Sequence, residues 1–301
     1  MKKVQVLLSS YNGEAYIEQQ LDSIFSQKGV EVECLVRDDG STDLTKEILT
    51  KYKKKNSKLS VIFGENVGYS YSFMELIRKS GCFDYFSFAD QDDVWCEEKL
   101  LRAIEKIELE NNEVGTMYCS NCKVVDAQLK YIKKLHTKDN MLPDSIERAL
   151  LQGFAHGCTM VLNLKARNIV KSYKPEYNYA HDFWIPIVLF YTGKVVYDSN
   201  AYILYRQHSS NVLGSKQSIA KIAKVNFKRI KNGISYSNLA AELLKGFDKL
   251  LPLESKEFLV DVKEYKQSIF KFLKVLLNKN IRKNTMKGTL FLKVSIIFLY
   301  F

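Results

Sequence analysis

The chain is expected to fold as an α/β domain, a Rossmann-like and mostly parallel central sheet with helices on both faces, followed by a helical, basic C-terminal extension. Three observations predict it. Apolar runs alternate with segments of helical periodicity three times within the first 90 residues. Polar clusters recur directly after the apolar runs, at the carboxyl edge where open α/β sheets bind ligands. The net charge of +11 is concentrated after residue 215, where 18 basic residues face 6 acidic ones.

Residues 4–10 form an apolar run closed by small polar residues, which reads as a strand. Residues 16–25 then switch to helical spacing, with Ile17, Leu21, Ile24 and Phe25 on one face. A second strand over 30–36 is stopped by Asp38-Asp39-Gly40-Ser41-Thr42-Asp43, whose hydroxyls and carboxylates suit a turn and the N-cap of a helix over 44–52. A strand over 59–63, a helix over 71–79 and a strand over 83–89 follow. Beyond them the pattern predicts a helix over 97–110, a strand over 116–125 and helices over 145–152, 164–173 and 182–191, with a short strand over 159–162. Late strands fall at 195–197 and 202–205. The composition turns Lys-rich after Gly214, dividing the chain into residues 1–214 and 215–301.

At 46 % hydrophobic and 26 % charged, with 14 Gly and 4 Pro among 301 residues, the composition excludes collagen-like, low-complexity and disordered classes. Six cysteines are too sparse for a disulfide framework and fit a reducing compartment. Cys119 and Cys122 make one CxxC without a second pair at zinc-finger spacing. The apolar stretch near Met1 is too short for a secretory leader, so a cytoplasmic location is expected. No run approaches the ~18 apolar residues of a membrane span. No nucleic-acid recognition module is legible, so nucleic acid is not an expected partner.

The first concentrated chemical signal is Asp90-Gln91-Asp92-Asp93, three carboxylates in four residues after an apolar strand. In an extended turn Asp90 and Asp92 point the same way, and two hard oxygen ligands so placed suit Mg²⁺ or Mn²⁺ shared with phosphates. The alternative is an acidic cap for the helix that follows. At the same edge, Asp38 and Asp39 can accept from a base N–H or a ribose hydroxyl, and Gly40 allows close backbone approach. A haloacid-dehalogenase-type nucleophile motif fails because Arg37 stands two residues before Asp39. A dinucleotide fingerprint fails because the first turn has only Gly13.

Taken together, Leu7-Leu8-Ser9-Ser10-Tyr11-Asn12-Gly13, Val36-Arg37-Asp38-Asp39-Gly40-Ser41-Thr42-Asp43, Glu65-Asn66-Val67-Gly68 and Phe88-Ala89-Asp90-Gln91-Asp92-Asp93-Val94-Trp95 resemble family 2 glycosyltransferases of the GT-A fold. The Ala-Asp-Gln-Asp-Asp-x-Trp wording is similar to a rhamnosyltransferase-like branch acting in bacterial surface polysaccharide assembly. His181-Asp182-Phe183-Trp184 and Tyr205-Arg206-Gln207-His208-Ser209-Ser210-Asn211 carry the resemblance to about residue 214. It implies nucleotide contacts at Ser10, Tyr11, Asp38 and Asp39 and a D-x-D pair at Asp90 and Asp92. Asp92 then ligates the cation, Mn²⁺ or Mg²⁺, and Asp90 is shared between cation and ribose. Asp182 becomes the general base of an inverting transfer, and His208 reaches the metal or the diphosphate. Arg206 and His181 are placed at the diphosphate or the acceptor, and Trp95 and Trp184, preferred over Tyr69 and Tyr71, at the sugar rings. Plainer alternatives stay open: His181 and Asp182 as a helix cap, His208 as a surface residue, and the loop 153–158 as an ordinary glycine-flanked turn rather than the acceptor side.

Lys221, Lys224, Lys228 and Lys231 make one basic stripe, and Ile269, Phe272, Leu273, Leu276 and Leu277 an apolar face. Such helices suit an anionic membrane surface or, alternatively, a cap on the body. The expected function is metal-dependent transfer of a sugar, with rhamnose the sugar implied by the branch, from a UDP- or dTDP-linked donor to a lipid-linked glycan. The site would then lie at the inner face of the bacterial membrane. The rivals are a nucleotidyltransferase, which lacks its triphosphate loop here, and a non-catalytic surface-binding protein of the same fold.

Overall fold

The computed structural model describes residues 1–111, 113–207 and 235–301. Its elements in chain order are β1 (Lys2–Ser10), α1 (Ile17–Phe25), β2 (Val30–Asp38), α2 (Thr45–Lys55), β3 (Leu59–Phe63), α3 (Tyr69–Lys79), β4 (Tyr85–Asp90) and β5 (Val94–Trp95). There follow α4 (Lys99–Glu108), β6 (Thr116–Val125), β7 (Tyr131–Lys134), α5 (Ile146–Leu151), β8 (Val161–Asn163), α6 (Leu164–Lys171), α7 (His181–Thr192) and β9 (Lys194–Arg206). Four more helices close the described chain: α8 (Tyr236–Phe247), α9 (Leu253–Glu264), α10 (Ile269–Leu277) and α11 (Met286–Ile297).

The sheet runs β3-β2-β1-β4-β8-β6-β9-β5, with β7 paired to β6. The first four strands are parallel, as the alternation of apolar runs and helices predicts. β8 enters antiparallel between β4 and β6, β6 and β9 are parallel to one another, and β5 lies antiparallel on β9. The central strands are apolar on both faces because both faces are covered. Leu7, Phe86 and Phe88 point into a core shared with α3 and α5 to α7, while Val6, Leu8, Val36 and Ala89 point into a second core under α1, α2 and α4. That division follows from the two-residue period of a strand.

The described residues beyond 215 are continuous with the first of these cores. Leu239 and Leu243 of α8, Leu259 of α9, Val275 of α10 and Ile296 of α11 are buried in the same cluster as Trp184 and Leu189 of α7. Phe301 is fully buried against Tyr236, with ring centroids 5.0 Å apart, and its N–H donates to the Tyr265 hydroxyl at 3.0 Å. Among the described residues no helix is long and apolar enough to cross a membrane. All six cysteines are free thiols.

Candidate active site

Strand register assembles the site. Ser10 at the end of β1 lies opposite Asp38 at the end of β2, and Ser9 lies opposite Asp90 at the end of β4. Three strand ends therefore bring polar side chains to one edge, where the backbone has left the ladder and can face a ligand.

The edge where the sequence leads one to expect the nucleotide is held by its own carboxylates. Asp38 is fully buried and accepts from the Ser10 hydroxyl at 3.3 Å, the Ser41 hydroxyl, and the Ser41 N–H at 3.0 Å. Asp39 is also buried and accepts from the Val67 N–H at 2.9 Å, the Gly68 N–H at 2.8 Å and the Arg37 guanidinium. Arg37 in turn donates to Glu75 at 2.7 Å. Both carboxylates thus take protein donors and, through them, fix the loops at this edge. Gly68 takes φ +85, a left-handed conformation open to glycine, and this lets residues 65–68 fold back onto Asp39. What faces outward is aromatic: Tyr11 is 46 % exposed, Tyr69 50 % and Tyr71 41 %.

The acid turn after β4 is the electrostatic centre. Burial, then the negative fields of Asp92 and Asp182, push the Asp90 carboxyl up to about 7. The same causes, with Asp90 and Asp92 as neighbours, raise Asp93 well above the ordinary carboxylate range. Asp93 is fully buried; one oxygen accepts from the Arg206 N–H at 3.2 Å, and Oδ2 has no hydrogen-bond partner. A buried, half-satisfied carboxylate among like charges needs a proton or a cation. The donor set meets that need: carboxylate oxygens of Asp90 and Asp93 and the Cys158 sulfur all lie within 4.8 Å of one another. Among the described residues, this is the group able to hold a divalent ion.

Asp182 reaches the same centre from α7. It stands in the first turn of α7 and bonds its own backbone N–H; burial raises its carboxyl, and its charge is felt at Asp90. Tyr205, near the end of β9, is raised by burial and then by Cys158 and the three aspartates of the turn, so its phenol borders the cluster. Further out, His136 and His156 bring their Nε2 atoms to 3.0 Å, and Asn121 pins the His136 backbone with bonds of 2.7 and 3.0 Å. Burial, then His136, lowers His156 to about 4.

Four sequence expectations need correction. Trp184 is 0 % exposed and stacks on Tyr179 at 5.3 Å, and Trp95 is 3 % exposed beneath the Lys99 ammonium, so neither can lie on a sugar ring. His181 is buried between Phe73 and Phe88, with ring centroids at 3.8 and 5.5 Å, and burial holds its imidazole down to about 3. It packs against Gly157, where a Cβ would strike its Nε2. Arg206 is buried too, and its fork serves the Asp92 carbonyl at 2.8 Å, the Ala127 carbonyl and Gln19 at 2.6 Å. It therefore supports the acid turn and is not presented to a diphosphate. His208, like Lys221, Lys224, Lys228 and Lys231, lies outside the described residues. Cys158 and Tyr205 lie in segments the sequence singles out, but only the β4-β8-β6-β9 order brings them, with Lys99, to the turn.

A strand-edge acid cluster facing a carboxylate at a helix N-terminus, on a sheet of this order, defines a glycosyltransferase of the GT-A fold. The model of the glycosyl transferase family 2 matches residues 5–170, and the chain belongs to that family. It is 29 % identical over 237 residues to the dTDP-rhamnosyl transferase RfbG of Shigella flexneri, covering 74 % of this chain and 78 % of that protein. It spans less than two thirds of several other curated relatives, 46 % in one case. Among solved structures it resembles S. aureus TarS 1-349 in complex with UDP-GlcNAc, with TM-score 0.60, 20 % identity and 92 % of this chain against 76 % of that one. The mannosyltransferase PcManGT from Pyrobaculum calidifontis, in complex with GDP-Man and Mn²⁺, aligns with TM-score 0.51 at 15 % identity over 100 % of this chain and 81 % of that one. These two likenesses bear on the fold.

Proposed function

We propose that this glycosyltransferase moves a sugar, rhamnose in the first instance, with inversion, from a UDP- or dTDP-linked donor to a hydroxyl of a lipid-linked glycan in bacterial polysaccharide assembly. The observation that carries the reading is the electrostatic contact between Asp182 and Asp90 across the sheet edge. The donor diphosphate lies over the acid turn, with Tyr11 and the loop held by Asp39 around the nucleotide. Asp182, its carboxyl raised by burial, takes the proton of the acceptor hydroxyl as that oxygen attacks the anomeric carbon from the face opposite the diphosphate. A divalent cation, Mn²⁺ or Mg²⁺, when bound at the turn supplies positive charge against the departing diphosphate. Asp90, Asp93 and Cys158 are the residues placed to hold it, with Asp92 beside them. The relative's name supports rhamnose, and the Mn²⁺ of the mannosyltransferase supports a metal.

A lipid-linked acceptor asks for a membrane-facing surface, and the last 37 residues supply its chemistry: eight basic side chains, no acidic one, and exposed Phe270, Leu277, Phe291 and Phe298. The enzyme accordingly sits at the inner face of the cell membrane. The test is incubation with a panel of UDP- and dTDP-sugars and Mn²⁺, with and without glycolipid acceptor. Release of nucleoside diphosphate from a dTDP-sugar, accelerated by acceptor, is expected. A panel with no release at all overturns the reading.

A further inference from the structure

We infer that His136 and His156 are the acceptor-recognition pair of this enzyme: with their Nε2 atoms spent on one another, their two Nδ1 atoms offer one hydrogen-bond donor and one acceptor, the complement of two neighbouring hydroxyls on the acceptor sugar. The inference rests on the reading of the chain as a sugar transferase with Asp182 as base, and goes beyond it in naming the residues that read the acceptor and the feature they read.

Three observations carry it. The Nε2 atoms of the two rings are 3.0 Å apart, so one carries the hydrogen and the other accepts it. In the uncharged pair, which half-burial of both rings favours, one ring then keeps a bare Nδ1 and the other an Nδ1–H, whichever ring is which. Among the described residues neither Nδ1 has a hydrogen-bond partner, and neither is shut away from water as both nitrogens of His181 are. Secondly, buried side chains hold both rings in place. Asn121, at a register shift of β6, donates to the His136 carbonyl at 2.7 Å and accepts from its N–H at 3.0 Å. Thr159 donates to the His156 carbonyl from its hydroxyl at 2.8 Å and from its N–H at 3.0 Å. Thirdly, the pair stands beside the chemistry. The His156 ring lies 6.5 Å from that of Tyr205, whose phenol borders the acid turn. Gly157, the next residue, packs on His181, the chain neighbour of Asp182.

The hydrogen-bonding capacity of the pair names its ligand. One donor and one acceptor cannot both be met by a phosphate or a carboxylate, which only accept, so the pair reads sugar hydroxyls and not the donor diphosphate. The rings stack with centroids 5.1 Å apart and planes at 28°, so hydroxyls on adjacent sugar carbons can meet both. A sugar lacking either hydroxyl leaves one ring nitrogen desolvated and unpaired, which is how a site built for hydroxyls rejects analogues. The rings position the acceptor, and its proton still goes to Asp182.

The test is imidazole nitrogen NMR on the full chain, labelled with ¹⁵N-histidine and titrated, with no sugar nucleotide present, with the methyl glycosides of rhamnose, mannose, glucose, galactose and N-acetylglucosamine. The chain has 4 histidines, and single glutamine replacements assign their signals. His136 and His156 are expected in opposite tautomers, and a recognised glycoside is expected to move the Nδ1 signals of both. Removing either of two adjacent hydroxyls from that glycoside is expected to weaken binding about tenfold. His136→Phe keeps a ring and removes both nitrogens; binding should fall by a similar factor, and the deoxy sugars should lose their disadvantage. The deoxy series is run on the parent protein, so it decides the matter even where the variant folds poorly. Like tautomers, an unmoved pair with every glycoside of the panel, equal binding of the deoxy sugars by the parent, or the parental deoxy penalty in His136→Phe overturns the inference. A protein that passes this test yet releases no nucleoside diphosphate from any donor would strike the proposed function alone. Transfer accelerated by a glycoside that leaves both Nδ1 signals in place would strike this inference alone.

Discussion

The carboxamide of Gln91 satisfies both backbone polar groups of Tyr11, accepting from its N–H at 2.7 Å and donating to its carbonyl at 3.0 Å. The second residue of the acid turn thereby ties the end of β4 to the turn that follows β1. Gly13 is the residue that makes room, since a Cβ there would strike the Gln91 side chain. Gln91→Ala removes both bonds at a partly solvated position, where a net cost of about 1 kcal/mol is expected. The donor KM should rise about fivefold, the equivalent of that energy, with kcat little changed. Initial rates against donor concentration measure it; a fall in kcat at constant KM would place Gln91 in the chemical step instead.

Asp182→Asn keeps the shape of the side chain and removes its ability to take a proton. Donor affinity, measured by calorimetry with a nucleoside diphosphate, should hold, while transfer falls by about 10²–10⁴-fold. Transfer at the parental rate would mean that another group is the base.

How much of this was readable in advance depended on whether a residue's partner was near in sequence. β1 to β4 were legible because each is an apolar run ended by polar residues, and Asp90 followed from that rule. The two late strands at 195–197 and 202–205 are one strand, β9. In the fold Asp198 accepts from the Asn200 N–H and side chain at 2.9 Å at a register shift against β6, and the strand continues. Trp184 is no sugar platform because Ile185, Ile187, Val188 and Leu189 make α7 apolar nearly all round, the pattern of a buried helix. The five donors of Arg206 suit a phosphate equally well, and only the tertiary fold reveals the carbonyls that use them. Nothing near Cys158 in the sequence mentions Asp93.

The raised Asp90 carboxyl sets the pH dependence of cation binding. Below about 7 a proton occupies the oxygen that a cation needs, so divalent affinity should fall about tenfold per pH unit between 7 and 6 and level off toward pH 8. The linkage sign agrees: with the folded value above the unfolded one, this carboxyl costs the metal-free protein stability as pH rises from the ordinary carboxylate range to about 7, and a bound cation offsets that cost. Mn²⁺ titrations at pH 6 and 8 check it, and equal affinities would remove Asp90 from the site.

Arg37 is buried with Asp39 and reaches Glu75, so its loss leaves a buried carboxylate without its counter-ion. Arg37→Met should cost about 3–5 kcal/mol in urea unfolding. It should also loosen residues 65–68, seen as faster amide exchange at Val67 and Gly68, whose N–H groups Asp39 holds.

His181 gives the protein an acid limit that the active-site carboxylates do not. Its imidazole is packed between Phe73 and Phe88 with neither ring nitrogen hydrogen-bonded, and burial holds it down to about 3 against an ordinary value near 6.5. The unfolded chain therefore takes up a proton at this residue below about pH 6.5, while the folded chain refuses it until about 3. The stability contribution is complete above the unfolded value and is lost steadily as pH falls through that window. Between pH 6.5 and 4.5 the loss from this side chain amounts to about 2–3 kcal/mol, at ~1.4 kcal/mol per unit. His181→Leu removes the titration at the cost of ring packing. It should be less stable than the parent at pH 7.5, and the gap should narrow by about that amount at pH 4.5. Urea midpoints of both proteins at the two pH values decide the matter, and a gap that stays constant would show that the buried imidazole is not what makes the fold acid-sensitive.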